Sequence, residues 1–372
     1  MSALRGVKIA DFSRVLAGPY ATMLLGDMGA HVIKVERPGL GDDTRSWGPP
    51  FDSEGRATYF QSVNRNKEGV TADLSTEQGR EKALGIIATS DVLVENFAVG
   101  TMEKFGLGYE ELHIKFPRLI YCSISGFGTS DEAKALPGYD LLVQGMSGLM
   151  SITGIDSDHP SKVGVALIDV LAGLHSSLGI VAALYHRAES GNGQKIEINL
   201  LSSALSGMVN QSGAFAGAGV IPTAMGNAHP SIAPYEVYPT QDKQIVIAVG
   251  NDGQFAKFCA VLGTDLHIDS RFATNPNRVA HRGELNSLLY PIFATKKVGE
   301  WVDAFTKVGV PAGAINSIQE AVALAEKLGL KPVITIEDPR DKTRSKTIAN
   351  PIVFSETPVI YRYGPPPLGI DD

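Results

Sequence analysis

Hydrophobic and polar positions along this chain follow two rhythms. Short apolar runs recur at residues 7–12 (VKIADF), 31–36 (HVIKVE), 91–97 (DVLVENF) and 119–126 (LIYCSISG), each leading into a loop with Gly, Pro or Ser. Such runs predict buried strands. Between them the spacing becomes helical, first in YATMLLGDMG and again over residues 75–88, where Ser75 and Gln78 form a capping-box pattern. Strand, helix, strand in succession predicts a parallel sheet with crossover helices. DFSRVLAG, ERPGLGDD, ENF and SGFG then fall at the C-terminal ends of strands, where open parallel sheets bind ligands.

The stretch GVALIDVLAGLHSSLGIVAALYHR, residues 164–187, reads as one long apolar helix carrying a single acid, Asp169, between Ile168 and Val170. A carboxylate in an apolar wall is costly unless it is paired, hydrogen-bonded or used. In the first turn of a helix it can serve as a cap, stabilised by free N–H groups and the helix dipole. Facing a cleft, it can instead attack an acyl group. The pattern leaves both readings open.

From about residue 200 to 230 the Gly, Ala and Pro of NQSGAFAGAGVIPTAMGNAHP show no clean period and read as a linker or site wall. Beyond it the pattern predicts a hairpin turning at Thr240 to Lys243 into QIVIAVG, and a helix capped by Asp252. A helix over about 298–308 follows, then strands VITIED and PVIYRY before GPPPLG. The fold class expected is α/β. A large Rossmann-like domain with a parallel sheet covers residues 1–200, and 201–228 form a crossing segment. A smaller α+β domain follows at 229–328, and 329–372 return to the large domain.

Composition narrows the function. The 372 residues are 44% hydrophobic and 20% charged, with a net charge of -7 and no basic run, so a nucleic-acid partner is not expected. Two cysteines, Cys122 and Cys259, point to a reducing, cytoplasmic setting. The N-terminal MSALRGVKIADFSRVLAGPY has no long apolar core and no stretch reaches eighteen apolar residues without polar interruption, so neither a secretory signal nor a membrane span is expected. The first loop, SRVLAGPY, lacks the glycine fingerprint of a dinucleotide site, which disfavours NAD or FAD. The eight histidines show no zinc-type spacing, so no metal is expected.

Several ordered segments carry a family resemblance: IADFSRVLAGPYAT, LGDMGAHVIKVERPGLGDDTR, NRNKEGVTADL, DVLVENFAVGTMEKFG, PGYD, ALIDVLAG, GNGQKIEINL and GPPPLG. Together they resemble the family III (CaiB/BaiF-like) CoA-transferases, the group that includes the α-methylacyl-CoA racemases. The resemblance runs over almost the whole chain and leans toward the succinyl-CoA-type branches. It implies an interlocked homodimer that passes coenzyme A between acyl-CoA and small carboxylic acids, with no permanently bound cofactor.

By the same resemblance Asp169 is the covalent carrier, forming an aspartyl anhydride and then an aspartyl-CoA thioester. Tyr139 stands where racemase relatives have a histidine. A phenol titrating near pH 10 is a poor base at neutral pH, so transfer is favoured over racemisation. The alternatives are an acyl-CoA racemase or a non-catalytic acyl-CoA binding protein. Val15, Leu16, Arg37, Ala72, Asn96, Phe97 and Lys104 match positions along bound CoA. Ala72 and Pro137 depart from the residues usual there. Gly253 and Gln254 match the end of a glycine-rich loop that covers the intermediate and offers catalytic support. Backbone N–H groups at the long helix's start, or at 251–254, are expected to stabilise oxyanions. An acceptor with a second carboxylate needs a cation, for which Arg14 is the candidate.

Overall fold

The structure is a computed structural model describing residues 2–372. In chain order the elements are β1 (Lys8–Asp11), α1 (Ala17–Asp27), β2 (His31–Glu36), α2 (Thr58–Val63), β3 (Lys67–Thr71), α3 (Glu77–Ala88) and β4 (Val92–Glu95). Next come α4 (Thr101–Lys104), α5 (Tyr109–Lys115), β5 (Ile120–Ser125), α6 (Asp140–Met146), α7 (Leu167–Ser190), β6 (Lys195–Asn199), α8 (Leu200–Gly207) and α9 (Asn210–Ala218). The remainder is β7 (Tyr235–Pro239), β8 (Gln244–Ala248), α10 (Asp252–Leu262), α11 (Asn275–Ala280), α12 (Arg282–Phe293), α13 (Val298–Lys307), β9 (Ala312–Ala314), α14 (Ile318–Lys327), β10 (Val333–Glu337) and β11 (Arg344–Ile348).

Two compact units result. The first joins Met1–Leu149, Lys162–Ile221 and Lys331–Asp372; the second joins Met150–Ser161 and Pro222–Leu330. The first unit holds a six-stranded sheet of order β3-β2-β1-β4-β5-β6, every pair parallel. Alternate residues of one strand feed opposite faces. Ile9, Val92, Val94 and Cys122 pack under α1 and α7, while Ala10, Leu93 and Tyr121 pack under α3 and α5. A sheet covered on both faces needs apolar residues at consecutive positions, and β1, β4 and β5 have them.

β3 and β6, at the two edges, were not anticipated as strands. KEGVT opens on two adjacent charges, and KIEIN carries charges at alternate positions. In β6 the Lys195–Glu197 pair lies outside while Ile196 and Ile198 pack inward. In β3 the inward residue is Lys67 itself, fully buried and ion-paired. PVIYRY forms no strand. It runs extended beside β3, tied by the Asn66 N–H to the Tyr363 carbonyl and by the Arg362 N–H to Asn66 Oδ1 (2.6 Å). Farther along, the Asp371 side chain accepts the Gly69 N–H at 2.8 Å, so this final segment covers the sheet's edge.

Helical elements also differ from expectation. The cap of α3 is Thr76, which accepts the Gly79 N–H, while Ser75 turns back to Asp73. The segment 201–228, expected as an irregular crossing, forms α8 and α9, and no residue of α9 is buried. Among the described residues α7 alone is long and apolar enough to cross a membrane by length and composition. Its inner face, with Ala172 and Ile180, lies in the core, whereas Leu178 and Tyr185 on the outer face are exposed.

In the second unit, β7, β8 and β9 form an antiparallel sheet with the hairpin turn at Thr240–Lys243. Its core is aromatic: Tyr238 stacks on Phe293 at 4.7 Å, and Phe258 stacks on Phe305 at 5.3 Å. The cap of α10 is Asn251, which accepts the Gln254 N–H. Asp252 instead pairs with the buried Arg278 at 2.8 Å.

Beneath the β1–α1 loop lie Asp11, Lys34, Asp42 and Lys67, all essentially without solvent contact. Lys67 Nζ reaches Asp11 (2.9 Å), the Pro19 carbonyl (3.0 Å) and Asn64 Oδ1 (2.9 Å). Lys34 Nζ reaches Asp42 and the Ser13 carbonyl, both at 2.9 Å. Burial alone raises the Asp42 carboxyl, but Lys34 and the bonds from Thr44 outweigh it and hold it down at about 2. A carboxyl lowered in the folded state stabilises fully above its unfolded value of 3.8, and that contribution fades as pH falls toward 2. Urea unfolding followed from pH 5 to pH 2 should show a loss of about 2 kcal/mol from this group. Asp42→Asn should be less stable at pH 5 and flatter over the same range; an unchanged slope would remove Asp42 from the account.

Candidate functional site

The strand order reverses direction between β1 and β4, and at such a point the loops on either side diverge and leave a crevice. Two cavities open there in the first unit. One, of about 300 Å³, is lined by Arg14–Ala17 after β1, Asn96–Val99 after β4, Ile124–Gly128 at the end of β5, and by Tyr139 and Asp169. The other, of about 420 Å³, is lined by Arg37 after β2, Ala72–Ser75 after β3, and Phe105. Arg14 and Phe97 line both cavities.

The loop that separates them is tightly held. Val15 sits at φ 68°, a left-handed conformation that a β-branched residue rarely adopts. Asp42 accepts its N–H at 3.3 Å. Asn96 brackets the preceding residue: its Oδ1 accepts the Arg14 N–H and its Nδ2 donates to the Arg14 carbonyl, both at 2.7 Å. The Asn96 amide is therefore occupied in shaping the loop. The Arg14 guanidinium lies 5.1 Å from the Phe97 ring centre and 3.6 Å from Asp43.

Asp169 lies in the first turn of α7, half-buried, and no hydrogen bond reaches its carboxylate among the described residues. It caps nothing. The N–H groups of Ile168 and Asp169 are taken instead by Asp140 Oδ1, at 2.8 and 3.1 Å. The reading of Asp169 as a cap is thus overturned, and those two N–H groups are already engaged rather than free for an oxyanion. Burial, then the nearby Asp140 charge, pushes the Asp169 carboxyl up to about 7.

Tyr139 heads α6 and is 65% exposed at the cavity rim. Arg37 is exposed at the second cavity, Ala72 is buried in its wall, and Leu16 is buried at the head of α1. Lys104 is exposed on α4 and lines neither cavity. Gly253 and Gln254 belong to the second unit, in the first turn of α10, where Gln254 Oε1 folds back to accept the Gly250 N–H at 2.8 Å.

Sequence reasoning missed Asp140 and Tyr59. Asp140 adjoins Tyr139 in PGYD, and its spacing from Gln144, one helical turn, was the available signal. Tyr59, edge-on to Trp47 at 5.5 Å, has its phenol pushed up to about 12 by burial and by Asp169, Asp140 and Asp42. Nothing in the local pattern around ATYFQS marks it.

Comparison with known proteins gives one consistent result. The family model described as CoA-transferase family III matches residues 4–372. A succinate–glutarate CoA-transferase of Agrobacterium fabrum is 43% identical over 374 residues, covering 98% of this chain and 93% of that protein. A succinyl-CoA:glutarate CoA-transferase of Homo sapiens is 41% identical over 337 residues, covering 90% and 77%. The crystal structure of a CAIB/BAIF family protein from Brucella suis superposes with a TM-score of 0.87 at 42% identity, covering 99% of this chain and 97% of that one.

Because Asn96 supplies both bonds that bracket Arg14, Asn96→Ala should cost roughly 1–3 kcal/mol in urea unfolding. Amide exchange at Arg14 and Val15 should accelerate in the same variant. Unchanged exchange would show that Asp42 and the buried lysines hold the loop without Asn96.

Proposed function

The chain belongs to CoA-transferase family III, and we propose that it moves coenzyme A from a short dicarboxylyl-CoA, such as succinyl-CoA, to a carboxylic acid with Asp169 as covalent carrier. CoA transfer between acyl-CoA and carboxylic acids is the activity that the family description and the relatives' names share. The observation that carries the proposal is the unpaired, half-buried Asp169 carboxylate facing a cavity at the sheet's switch point. A charged group left without partners in such a place is poised to react rather than to support the fold.

In the proposed reaction an Asp169 oxygen attacks the thioester carbonyl, and the C–S bond breaks to give a mixed anhydride and CoA thiolate. The thiolate then attacks Cγ of Asp169, forming an aspartyl-CoA thioester as the donor leaves as its carboxylate. The acceptor carboxylate attacks the same carbon and expels the thiolate. That thiolate attacks the acceptor's acyl carbon, releasing the new thioester and free Asp169. Electrons and protons balance with no further reactant, and no cofactor enters beyond CoA as substrate and product.

Val15, Leu16, Ala72, Asn96 and Phe97 are assigned to walls along which CoA passes. Arg37, exposed at the second cavity, is assigned to the nucleotide phosphates. Lys104 joins them if CoA extends past α4. Tyr139, Gly253 and Gln254 are assigned supporting roles. Arg14, reaching both cavities, is assigned to a second carboxylate on the acid. The relatives' names, with succinate and glutarate, support a dicarboxylic substrate. A homodimer accounts for the exposed apolar faces of α7 and α9, where Leu178 is 69% and Phe215 61% exposed. Two buried free cysteines accord with a cytoplasmic location.

Mass spectrometry, stability and binding measurements test this function. Wild-type protein given succinyl-CoA without acceptor should gain the mass of CoA less water at residue 169. Asp169→Asn should gain nothing, lose turnover by orders of magnitude and still bind CoA. A carboxyl raised to about 7 from 3.8 costs stability progressively as pH rises from its unfolded toward its folded value, so Asp169→Asn should also be more stable than wild type at pH 8 and equal to it at about pH 3. The gain should be on the order of 2 kcal/mol after discounting for partial exposure. Arg37→Ala should weaken CoA by about 1.5–3 kcal/mol in calorimetric titration. An unchanged dissociation constant would return Arg37 to the ordinary surface charges.

A further inference from the structure

Resting on the reading of Asp169 as carrier, we propose that Asp140 is a positioning residue that holds the start of α7 so that the Asp169 carboxylate is left unbonded in the cavity. It does so by occupying the helix-start N–H groups, and it sets a second carboxylate beside Asp169. Asp140 is 9% exposed and bonded through both oxygens. Oδ1 accepts from the Ile168 and Asp169 N–H groups at 2.8 and 3.1 Å, and Oδ2 accepts from Gln144 Nε2 at 2.6 Å. Gln144 in turn accepts the Val163 N–H at 2.9 Å and donates to the Val165 carbonyl at 3.2 Å. The two side chains, one turn apart on α6, thus clamp the segment that leads into α7.

The free N–H groups of a first turn are what ordinarily stabilises a carboxylate placed there. Here they are spent on Asp140. Asp169 keeps its burial and gains a like charge, and both disfavour its ionised form. Other groups also face it. Tyr59 comes from α2, Tyr139 from the head of α6, and Arg14, Asp43 and Lys134 from the cavity walls. Tyr20 of α1 packs on α7 at Gly173. Of these groups, Asp140 is the one that bonds the helix start.

The chemistry gains a direction from this. Thiolate can attack either carbonyl of the mixed anhydride. Attack at the acyl carbon expels Asp169 and regenerates the donor thioester; attack at Cγ of Asp169 breaks the other C–O bond and expels the donor acid. The less basic carboxylate leaves more readily, and an ordinary carboxylic acid is less basic than Asp169. The anhydride is therefore steered toward the aspartyl-CoA thioester, the form that awaits an acceptor.

The experiment measures the rate of adduct formation from succinyl-CoA without acceptor, by quenched intact-mass spectrometry from pH 5 to pH 9. Wild type, Asp140→Asn and Asp140→Glu are compared. Wild type should show a rise centred at about 7. In Asp140→Asn, which retains an oxygen acceptor for the two N–H groups but lacks the charge, the rise should move down by about one pH unit. The fraction of enzyme held as CoA adduct should fall with it, while Asp140→Glu keeps the wild-type position. If Asp140→Asn does not fold by circular dichroism, Asp140→Ser supplies a smaller neutral acceptor. A neutral variant that slows adduct formation without moving the rise overturns the proposal and leaves Asp140 a clamp of the fold without influence on Asp169. Absence of any adduct in wild type at every pH overturns the carrier reading, and this inference with it.

Discussion

A buried set of opposite charges holds the β1–α1 loop, and the site depends on that loop. Asp11 and Asp42 face Lys67 and Lys34, with all four side chains buried. Buried ion pairs seldom add net stability over apolar packing, because desolvation takes back most of the Coulombic gain. What these provide is direction. Each ammonium has donors left over after its carboxylate, and these are spent on the Ser13 and Pro19 carbonyls. The backbone on either side of Val15 is thereby fixed, and the left-handed turn at Val15 is held from both ends. Removing either lysine would leave a buried carboxylate unpaired directly beneath the cavity wall.

Legibility in the sequence followed burial. β1, β2, β4 and β5 lie inside the sheet, where neighbouring strands and covering helices demand apolar residues, and their runs stand out. β3 and β6 lie at the edges, where charge is tolerated. In β3 the charge is the buried ion pair itself, which no hydrophobic pattern reveals. Helix caps were legible as neighbourhoods rather than as residues. Ser75 and Thr76, or Asn251 and Asp252, are equally able to cap, and the choice falls to the one whose backbone is extended at the boundary.

Asp169 was visible because it breaks an apolar run. Its partner was hidden because Asp140 sits among glycine, proline and tyrosine, where a polar residue is unremarkable. The two are 29 positions apart in sequence, and only the packing of α6 on α7 brings them together. The roles expected at the helix start are in effect exchanged: the residue outside the helix caps it, and the residue inside it is left uncapped. The loop residues Val15, Asn96 and Phe97 were named through family resemblance. Their geometry gives that resemblance a physical content, since they frame the point where the strand order reverses.

The covering of β3 by the final segment bears on how this protein is made. Gly69 and Asp371 are bonded across 302 positions, and Thr71 and Asp372 across 301. During synthesis the first unit can assemble most of its sheet long before residues 360–372 leave the ribosome. Throughout that interval β3 presents an unpaired edge, and Asn66 lacks the backbone partners it has in the finished fold. The nascent chain thus carries an open strand for the time needed to translate the whole second unit. Its exposure is set by the order of translation rather than by the stability of the completed protein.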